Sequence, residues 1–424
     1  MNFKLSKFII PSVISMVLVG TYTNLDGLFI GGVLGDVGIA AINFAWPIVA
    51  LITALGTGIG VGGSVIINNL RGKSDNHGAE RVKTSLILLL AIVGVVSSVA
   101  LYFLSKPLLK LMGTTQDAFN YALEYSKIVS LGALFQIMGA GLVALLRNEQ
   151  KTYFSMACCV AGLAVHVLLD VLLVKKYTLA GVAVSTVVSQ AVIMVMCFFP
   201  LKFKIKGYVD FKCMPQILKA STSPIGINFV PSLVLLFTNL FAGMYGGTVA
   251  VGAYGVMSYA VYTLDYIFQG VCDGVQPIIS FTHGSNDKAN HDRALKVSGI
   301  LLVIFSLAFI ALTPLLIFGM PKLFSISQEG ERIMATGFWI YAVSYIFKAM
   351  VKYIGSYYYA VGKTGLSNAL IYIDPLLLSP LTLFLFPKFM GLNGIWWSLS
   401  VSQIVVALLG ILSIWLLRKK RVEV

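Results

Sequence analysis

The chain is divided by short polar breaks into long apolar runs, and this pattern limits the possible folds more than any other feature. A helix of about 20 residues spans the hydrocarbon core of a bilayer, whereas transmembrane β-strands alternate polar and apolar residues over about ten positions. Hydrophobic residues form 58% of the sequence and charged residues only 11%, unlike a soluble domain. Because the runs are continuous, they predict an all-α integral membrane protein. Twelve transmembrane helices are predicted, starting near residues 6, 43, 84, 118, 152, 179, 216, 251, 296, 332, 365 and 392.

The net charge of +14 raises the question of a nucleic-acid partner, and the positions of the basic residues answer it. If the N-terminus is cytoplasmic, 21 of the 31 Lys and Arg residues fall on cytoplasmic segments. Seven fall on the opposite side, Lys175 and Lys176 among them, and three lie within helices. Cytoplasmic loops of membrane proteins carry such an excess. The charge therefore indicates topology, predicts that both termini are cytoplasmic, and favours a lipid bilayer over nucleic acid as the partner.

Residues that could carry out chemistry are too scattered for a membrane-embedded enzyme. An active site needs a nucleophile, a base or metal ligands that converge. Only one of the four histidines lies within a predicted helix, and the five cysteines include no CxxC pair. We therefore predict no catalytic residue, no metal site and no cofactor.

The second half of the chain repeats the first at a shift of about 212 residues. Six helices per half give both halves the same orientation, related by an axis along the membrane normal, and two such lobes enclose the central cavity of a transporter. We predict an N-lobe at 1–200, a cytoplasmic linker at 201–215 and a C-lobe at 216–424. The matched pairs are Gly72 with Gly284, Asp75 with Asp287, Arg81 with Arg293, Gln116 with Gln328 and Lys151 with Lys363, and a shift of 213 pairs 179–190 with 392–403.

Polar residues three or four positions apart mark the faces of the C-lobe helices that would line this cavity. Depth can be compared at about 1.5 Å per residue, and it matches Asp265 with Lys348 and Asp273 with Lys352 as neutralising pairs. Such buried pairs either contact substrate or only fix helix packing. The predicted lining residues of this lobe are Asn228, Tyr262, Asp265, Gln269, Asp273, Tyr341, Tyr345, Lys348, Lys352 and Asp374, of which Asp374 has no evident partner.

Two N-lobe aspartates give a sharper signal. Asp26 and Asp170 lie at a similar depth below the predicted outer surface, and His166 is one turn from Asp170 on the same face. An ionised carboxylate inside a membrane needs a partner, a proton or water. Two carboxylates in one pocket do not both ionise cheaply, so we predict an ion-coupling site that accepts a proton or another cation. The structural alternative is that Asp26 caps backbone groups and His166 is a core histidine.

Two motifs resemble those of the multidrug and toxic compound extrusion (MATE) family. NLDGLFIGGVLG at 24–35 is similar to the family's first-helix signature, and VQPIISFTHGSNDKANHDRA at 275–294 resembles its second-lobe motif. The similarity extends over nearly the whole chain. It implies V-shaped lobes that export amphipathic, often cationic compounds, driven by inward flow of protons or sodium.

The resemblance also assigns residues. It implies that Asp26 and Asp170 form the cation-coupling pocket of prokaryotic members, and it adds Thr186 as a lining residue. Many members carry Asn where this chain has His166, and an imidazole titrates near neutral pH, which favours protons. The seventh predicted helix has no acid, unlike members with a second-lobe sodium site, and this also favours protons.

We therefore predict a secondary antiporter that exports amphipathic, cationic drugs or toxic organic compounds by alternating access, in exchange for protons or, alternatively, sodium. A monomer is expected, in the plasma membrane of a bacterium or archaeon. The rival hypothesis is a flippase for a lipid-linked sugar precursor of the same broad superfamily, in which Lys348 and Lys352 would bind pyrophosphate. The acids in the same region, Asp265 and Asp273, argue against the flippase.

Overall fold

The computed structural model describes residues 4–114, 116–201, 209–324 and 326–422, and within these ranges the chain is helical, with no β-strand. Eight of the described helices are long and apolar enough to cross a membrane, and the number rises to ten if each of two bent helix pairs is one span. The all-α membrane fold expected from the sequence is therefore confirmed.

Four sharp turns separate consecutive helices. Gly35, Thr178 and Gly247 interrupt long helices with φ angles of 57°, 49° and 63°, and Gly391 follows a further helix with a φ of 55°. Glycine adopts positive φ without steric penalty, which explains three of the four positions. Thr178 adopts the same conformation with a β-branched side chain, which is uncommon.

The break at Thr178 is a reversal of the chain. A Cβ atom on Gly181 would lie 2.8 Å from the carbonyl oxygen of Leu173, so the helices before and after the break run side by side. Counted with these reversals, the described residues form twelve segments. They are segment 1 Ser6–Gly35, segment 2 Val37–Gly72, segment 3 Asn76–Leu111, segment 4 Gln116–Leu131 with Ala133–Asn148, segment 5 152–177, segment 6 179–198, segment 7 Phe211–Gly247, segment 8 248–284, segment 9 Lys288–Phe324, segment 10 Gln328–Ala342 with Tyr345–Ala360, segment 11 Thr364–Met390 and segment 12 Leu392–Val422.

The backbone repeats at the same shift as the sequence. Residues with positive φ recur 212 positions apart in the first part of each half and 213 apart later. The extra residue falls within segment 11, where Asp374–Leu378 form a π-helix. A π-helical turn holds one residue more than an α-helical turn, so it accounts for the change. The equivalent positions are Gly35 and Gly247, Ser74 and Asn286, Gln150 and Gly362, and Thr178 and Gly391.

The loops after segments 2 and 8 end in matching helix caps. The carboxylate of Asp75 accepts a hydrogen bond from the backbone N–H of Gly78 at 2.8 Å. The carboxylate of Asp287, 212 residues later, accepts from the backbone N–H and the side-chain amide of Asn290 at 3.1 and 2.7 Å. These hydrogen bonds stabilise the ionised form and hold the pKa of Asp287 below its usual value. The repeat therefore extends to the capping chemistry of its loops.

We call the end of the bundle that holds the loops 73–75, 149–151, 285–287 and 361–363 the basic end. Each half of the chain has its own hydrophobic core. A third cluster takes residues from both halves and lies at the basic end, with Val61 and Val65 of segment 2 against Ile278 of segment 8. The two lobes are thus packed together at this end.

Small residues allow this close approach. A Cβ atom on Gly72 would lie 2.3 Å from the carbonyl oxygen of Phe281, and Gly284, its partner in the repeat, is equally close to segment 2. Gly58 and Gly62, in the run GIGVGG, lie against the backbone of segment 7. The run is therefore a helix-packing surface, as small residues in membrane helices commonly are. The domain boundaries at 200 and 216 stay a prediction.

Candidate ion-coupling and substrate site

A cavity of about 1420 Å³, its mouth included, lies between the lobes. Beyond it, a second cavity that shares Trp46, Tyr262 and Tyr266 continues away from the basic end. Aromatic walls with a few polar groups are typical of small-molecule sites. The walls of this central cavity include Tyr22, Asp26, Trp46, Thr53, Tyr125, Gln136, Arg147, Thr186 and Gln190 from the N-lobe, and Asn228, Tyr262, Asp265, Tyr266, Gln269 and Lys352 from the C-lobe.

The three predicted ion-coupling residues meet in one buried cluster, the acid site. His166 Nε2 lies 2.7 Å from Oδ1 of Asp26 and 3.1 Å from Oδ2 of Asp170. Asp26 is nine residues before the turn at Gly35 and Asp170 eight before the turn at Thr178, which gives them the same depth. Asp170 and His166 are fully buried, whereas Asp26 is 4% exposed and lines the central cavity.

Aromatic side chains enclose the acid site. The ring of Tyr22 meets His166 edge to face, with 5.0 Å between ring centroids, and Tyr125 lies against Asp26 and Thr186. His166 Nδ1 and both carboxylate oxygens of Asp170 are buried and have no hydrogen bond of good geometry among the described residues. Buried polar groups in this condition are uncommon in proteins and are often found at functional sites.

The C-lobe carries a cluster of opposite sign. Lys348 Nζ lies 2.6 Å from Oδ2 of Asp265, which is the pairing expected from depth. Lys352 Nζ is 3.8 Å from Oδ1 of the same carboxylate and donates a hydrogen bond to the Asp265 backbone carbonyl at 3.3 Å. Two ammonium groups therefore share Asp265.

The pairing expected between Asp273 and Lys352 is wrong, because Asp273 binds Arg147 of the other lobe. Arg147 Nη2 lies 3.0 Å from Oδ2 of Asp273, and both side chains are almost fully buried. Gln269 donates a further hydrogen bond to Oδ1 of Asp273 at 2.8 Å. Arg147 lies in the last turn of its helix, where a basic residue is typical of a cytoplasmic loop, and depth alone does not identify a partner across the lobes.

The other predicted lining residues separate into three groups. Thr186, Asn228 and Gln269 line the central cavity together with Tyr262. Tyr341, Lys348 and Asp374 line a smaller C-lobe cavity. The structure places Tyr345 in the C-lobe core, fully buried, rather than at a cavity wall, because its ring packs edge to face against Tyr341 and Phe309.

Comparison with known proteins decides the family. The model of the MatE family matches residues 11–172 and 224–378. The chain belongs to the MatE family. A similar protein is the multidrug export protein MepA of Staphylococcus saprophyticus, 25% identical over 97% of this chain and 93% of its own. The recognition of a MATE transporter from its motifs is thereby confirmed.

Solved structures share the fold of this MATE transporter. An outward-facing multidrug resistance MATE family transporter superimposes with a TM-score of 0.88 at 22% identity, covering 98% of this chain and 96% of that one. A MOP superfamily transporter from Pyrococcus furiosus gives 0.88 at 21% identity, covering 96% and 94%.

Proposed function

We propose that this MATE transporter exports amphipathic organic compounds, including drugs, across the plasma membrane of a bacterium or archaeon. The observation that carries the proposal is the central cavity, which has an aromatic wall on both lobes and the acid site at its N-lobe side. The similar MepA proteins bear the name of multidrug exporters.

We further propose that protons drive the export through the acid site. Hard cations prefer several oxygen ligands. The acid site offers two carboxylates and one imidazole nitrogen, which together could hold a cation, and His166 Nε2 already lies within hydrogen-bond distance of each carboxylate. A proton needs no additional ligand and can be held by Asp26, Asp170 or the imidazole. Asp26 also lines the central cavity, so a substrate there acts directly on the group that carries the proton.

The contacts between the lobes support a proposal of alternating access. With both termini in the cytoplasm, the basic end faces the cytoplasm, and the packed cluster there closes the inner side. The Arg147 to Asp273 pair spans the lobes and must separate if the inner side opens. Separation of a buried pair is unfavourable unless both charges become hydrated, which opening of that side would allow.

The test is transport in liposomes that contain the purified protein. An imposed proton gradient should drive movement of a fluorescent amphipathic cation such as rhodamine 123, and an imposed sodium gradient at constant pH should not. Sodium-driven movement without a response to pH would contradict proton coupling. Failure of both gradients to move any member of a panel of amphipathic compounds would contradict export.

The flippase for a lipid-linked sugar is the second candidate. It would need lysines able to hold a pyrophosphate, and Lys348 is engaged by Asp265 at 2.6 Å. Lys348 also lines the C-lobe cavity and not the central cavity. We therefore favour drug export.

A further inference from the structure

Asp265 lies between two lysines and neutralises only one of them closely. The direct ion pair with Lys348 measures 2.6 Å, whereas Lys352 Nζ stands 3.8 Å from the carboxylate. Asp374 accepts hydrogen bonds from Ser379 and Gln403 and makes no salt bridge with a described lysine or arginine. Among the described residues at the centre of the C-lobe, Lys352 is thus an ammonium group without a closely bound carboxylate.

Lys352 faces the central cavity. It is 8% exposed and lines both this cavity and the C-lobe cavity. An ammonium group has three donors, and the only hydrogen bond of Lys352 among the described residues goes to the Asp265 carbonyl. No second acceptor among the described residues lies within hydrogen-bond distance of this ammonium group, so an acceptor that enters the cavity can bind to it.

The other charges at the walls of the central cavity are already engaged. Arg147 is bound by Asp273 at 3.0 Å, and Asp26 is bound by His166 at 2.7 Å. Of the described cations lining this cavity, Lys352 is thus the one without a carboxylate within hydrogen-bond distance. Tyr262, Tyr266 and Gln269 line the same C-lobe wall and offer aromatic contact and an amide beside it.

We infer that Lys352 binds the acidic group of an organic substrate, so that the substrates include zwitterions as well as cations. Hydrogen bonds between an ammonium and a carboxylate are shorter and stronger than neutral ones, and the burial of Lys352 strengthens them further. The aromatic wall then contacts the organic body of the molecule. The inference rests on the proposed export function and narrows its substrate class.

Rhodamine 110 and rhodamine 123 test the inference, because the second is the methyl ester of the first. They share one cationic ring system, and only rhodamine 110 has a carboxylate. Binding to the purified protein is measured by fluorescence polarisation. Lys352→Gln should weaken the binding of rhodamine 110 by about tenfold to hundredfold, the range expected for a hydrogen bond to a charged group. The same variant should leave the binding of rhodamine 123 nearly unchanged.

Two further variants serve as controls. Lys352→Arg keeps the positive charge and should retain affinity for rhodamine 110. Lys175→Gln removes an exposed lysine near the turn at Thr178 that lines neither the central cavity nor the C-lobe cavity, and it should change neither affinity. Unchanged binding of rhodamine 123 shows that a variant is folded. A loss of rhodamine 110 binding alone is therefore due to the carboxylate of that dye.

Three results would overturn the inference. In the first, the wild-type protein binds rhodamine 123 but not rhodamine 110. In the second, Lys352→Gln weakens the binding of both dyes equally, and in the third it weakens the binding of neither. Each leaves the export proposal intact if a proton gradient still moves rhodamine 123 into or out of liposomes. Conversely, selective binding without gradient-driven movement of either dye supports the inference and contradicts the proposed export.

Discussion

The two lobes of this transporter share one backbone plan and carry opposite chemistry at their centres. The N-lobe holds two carboxylates around one imidazole, with no lysine or arginine bound to either in the described residues. The C-lobe holds two lysines around one carboxylate. A duplicated scaffold therefore does not determine the site built on it; the individual side chains do.

Positions related by the repeat show which side chains make the centres of the two lobes different. Asp265 and Lys348 correspond, at a shift of 212, to Thr53 and Gln136 in the N-lobe. The ion pair measures 2.6 Å, and Gln136 Nε2 donates to Thr53 Oγ1 over the same 2.6 Å. The contact between the two helices is thus common to both lobes, as an ion pair in one and a neutral hydrogen bond in the other. The position equivalent to Asp26 is Thr238, whose hydroxyl donates to the carbonyl of Val234 in its own helix.

The largest expected effect comes from removing the charge that distinguishes the N-lobe. Asp26→Asn keeps the size of the side chain and removes its ability to carry a proton, so proton-driven transport in liposomes should fall to the level of protein-free liposomes. Thr238→Asn, at the equivalent C-lobe position, is the matched control and should retain transport. Wild-type rates from an Asp26→Asn protein would rule out this carboxylate as the coupling group.

A second effect contrasts the ion pair with the neutral hydrogen bond. Asp265→Asn leaves two buried ammonium groups without a carboxylate and should lower the free energy of unfolding by about 3–5 kcal/mol. Thr53→Val breaks the equivalent N-lobe hydrogen bond and should cost about 1 kcal/mol. Denaturant titrations in detergent micelles measure both. Equal costs would mean that the C-lobe charges are hydrated and not buried as described.

The smallest of the three effects concerns the pair that joins the lobes. Arg147→Asp or Asp273→Arg alone should slow transport by about tenfold, equivalent to ~1.4 kcal/mol, because like charges then oppose closure of the basic end. The double variant restores attraction with reversed polarity and should recover most of the rate. If the double variant is as slow as the sum of the single variants predicts, the pair does not act as a unit.

Much of the fold was predictable because membrane helices are local features of a sequence. Each predicted helix start lies within eight residues of the observed start of the corresponding segment. The largest differences are those between predicted residue 84 and Asn76 and between predicted residue 296 and Lys288. The acid site was also predictable, because helical spacing joins His166 to Asp170 and common depth joins both to Asp26.

Contacts set by rotation and by lobe closure could not be predicted in this way. Asp273 has the right depth for Lys352, but the choice of Arg147 depends on how closely segments 4 and 8 approach. Tyr345 shares the spacing of Tyr341 and Lys348 but points into the packed core. Segment 10 bends by 51° between Ala342 and Tyr345, so the spacing along one straight helix does not predict where the ring of Tyr345 lies.

The π-helical turn in segment 11 makes the pseudo-symmetry inexact at a single point. One additional residue rotates the side-chain directions of the helical residues after it by about 100° around the helix axis, relative to the other half of the chain. Before the turn, Asp374 corresponds to Gly162; after it, Ser379 corresponds to His166, and the hydroxyl of Ser379 donates to Asp374 at 2.8 Å. One additional residue thus puts the two halves of the chain out of phase, so that the position of an imidazole ring in the N-lobe is taken in the C-lobe by a hydroxyl that serves a different acid.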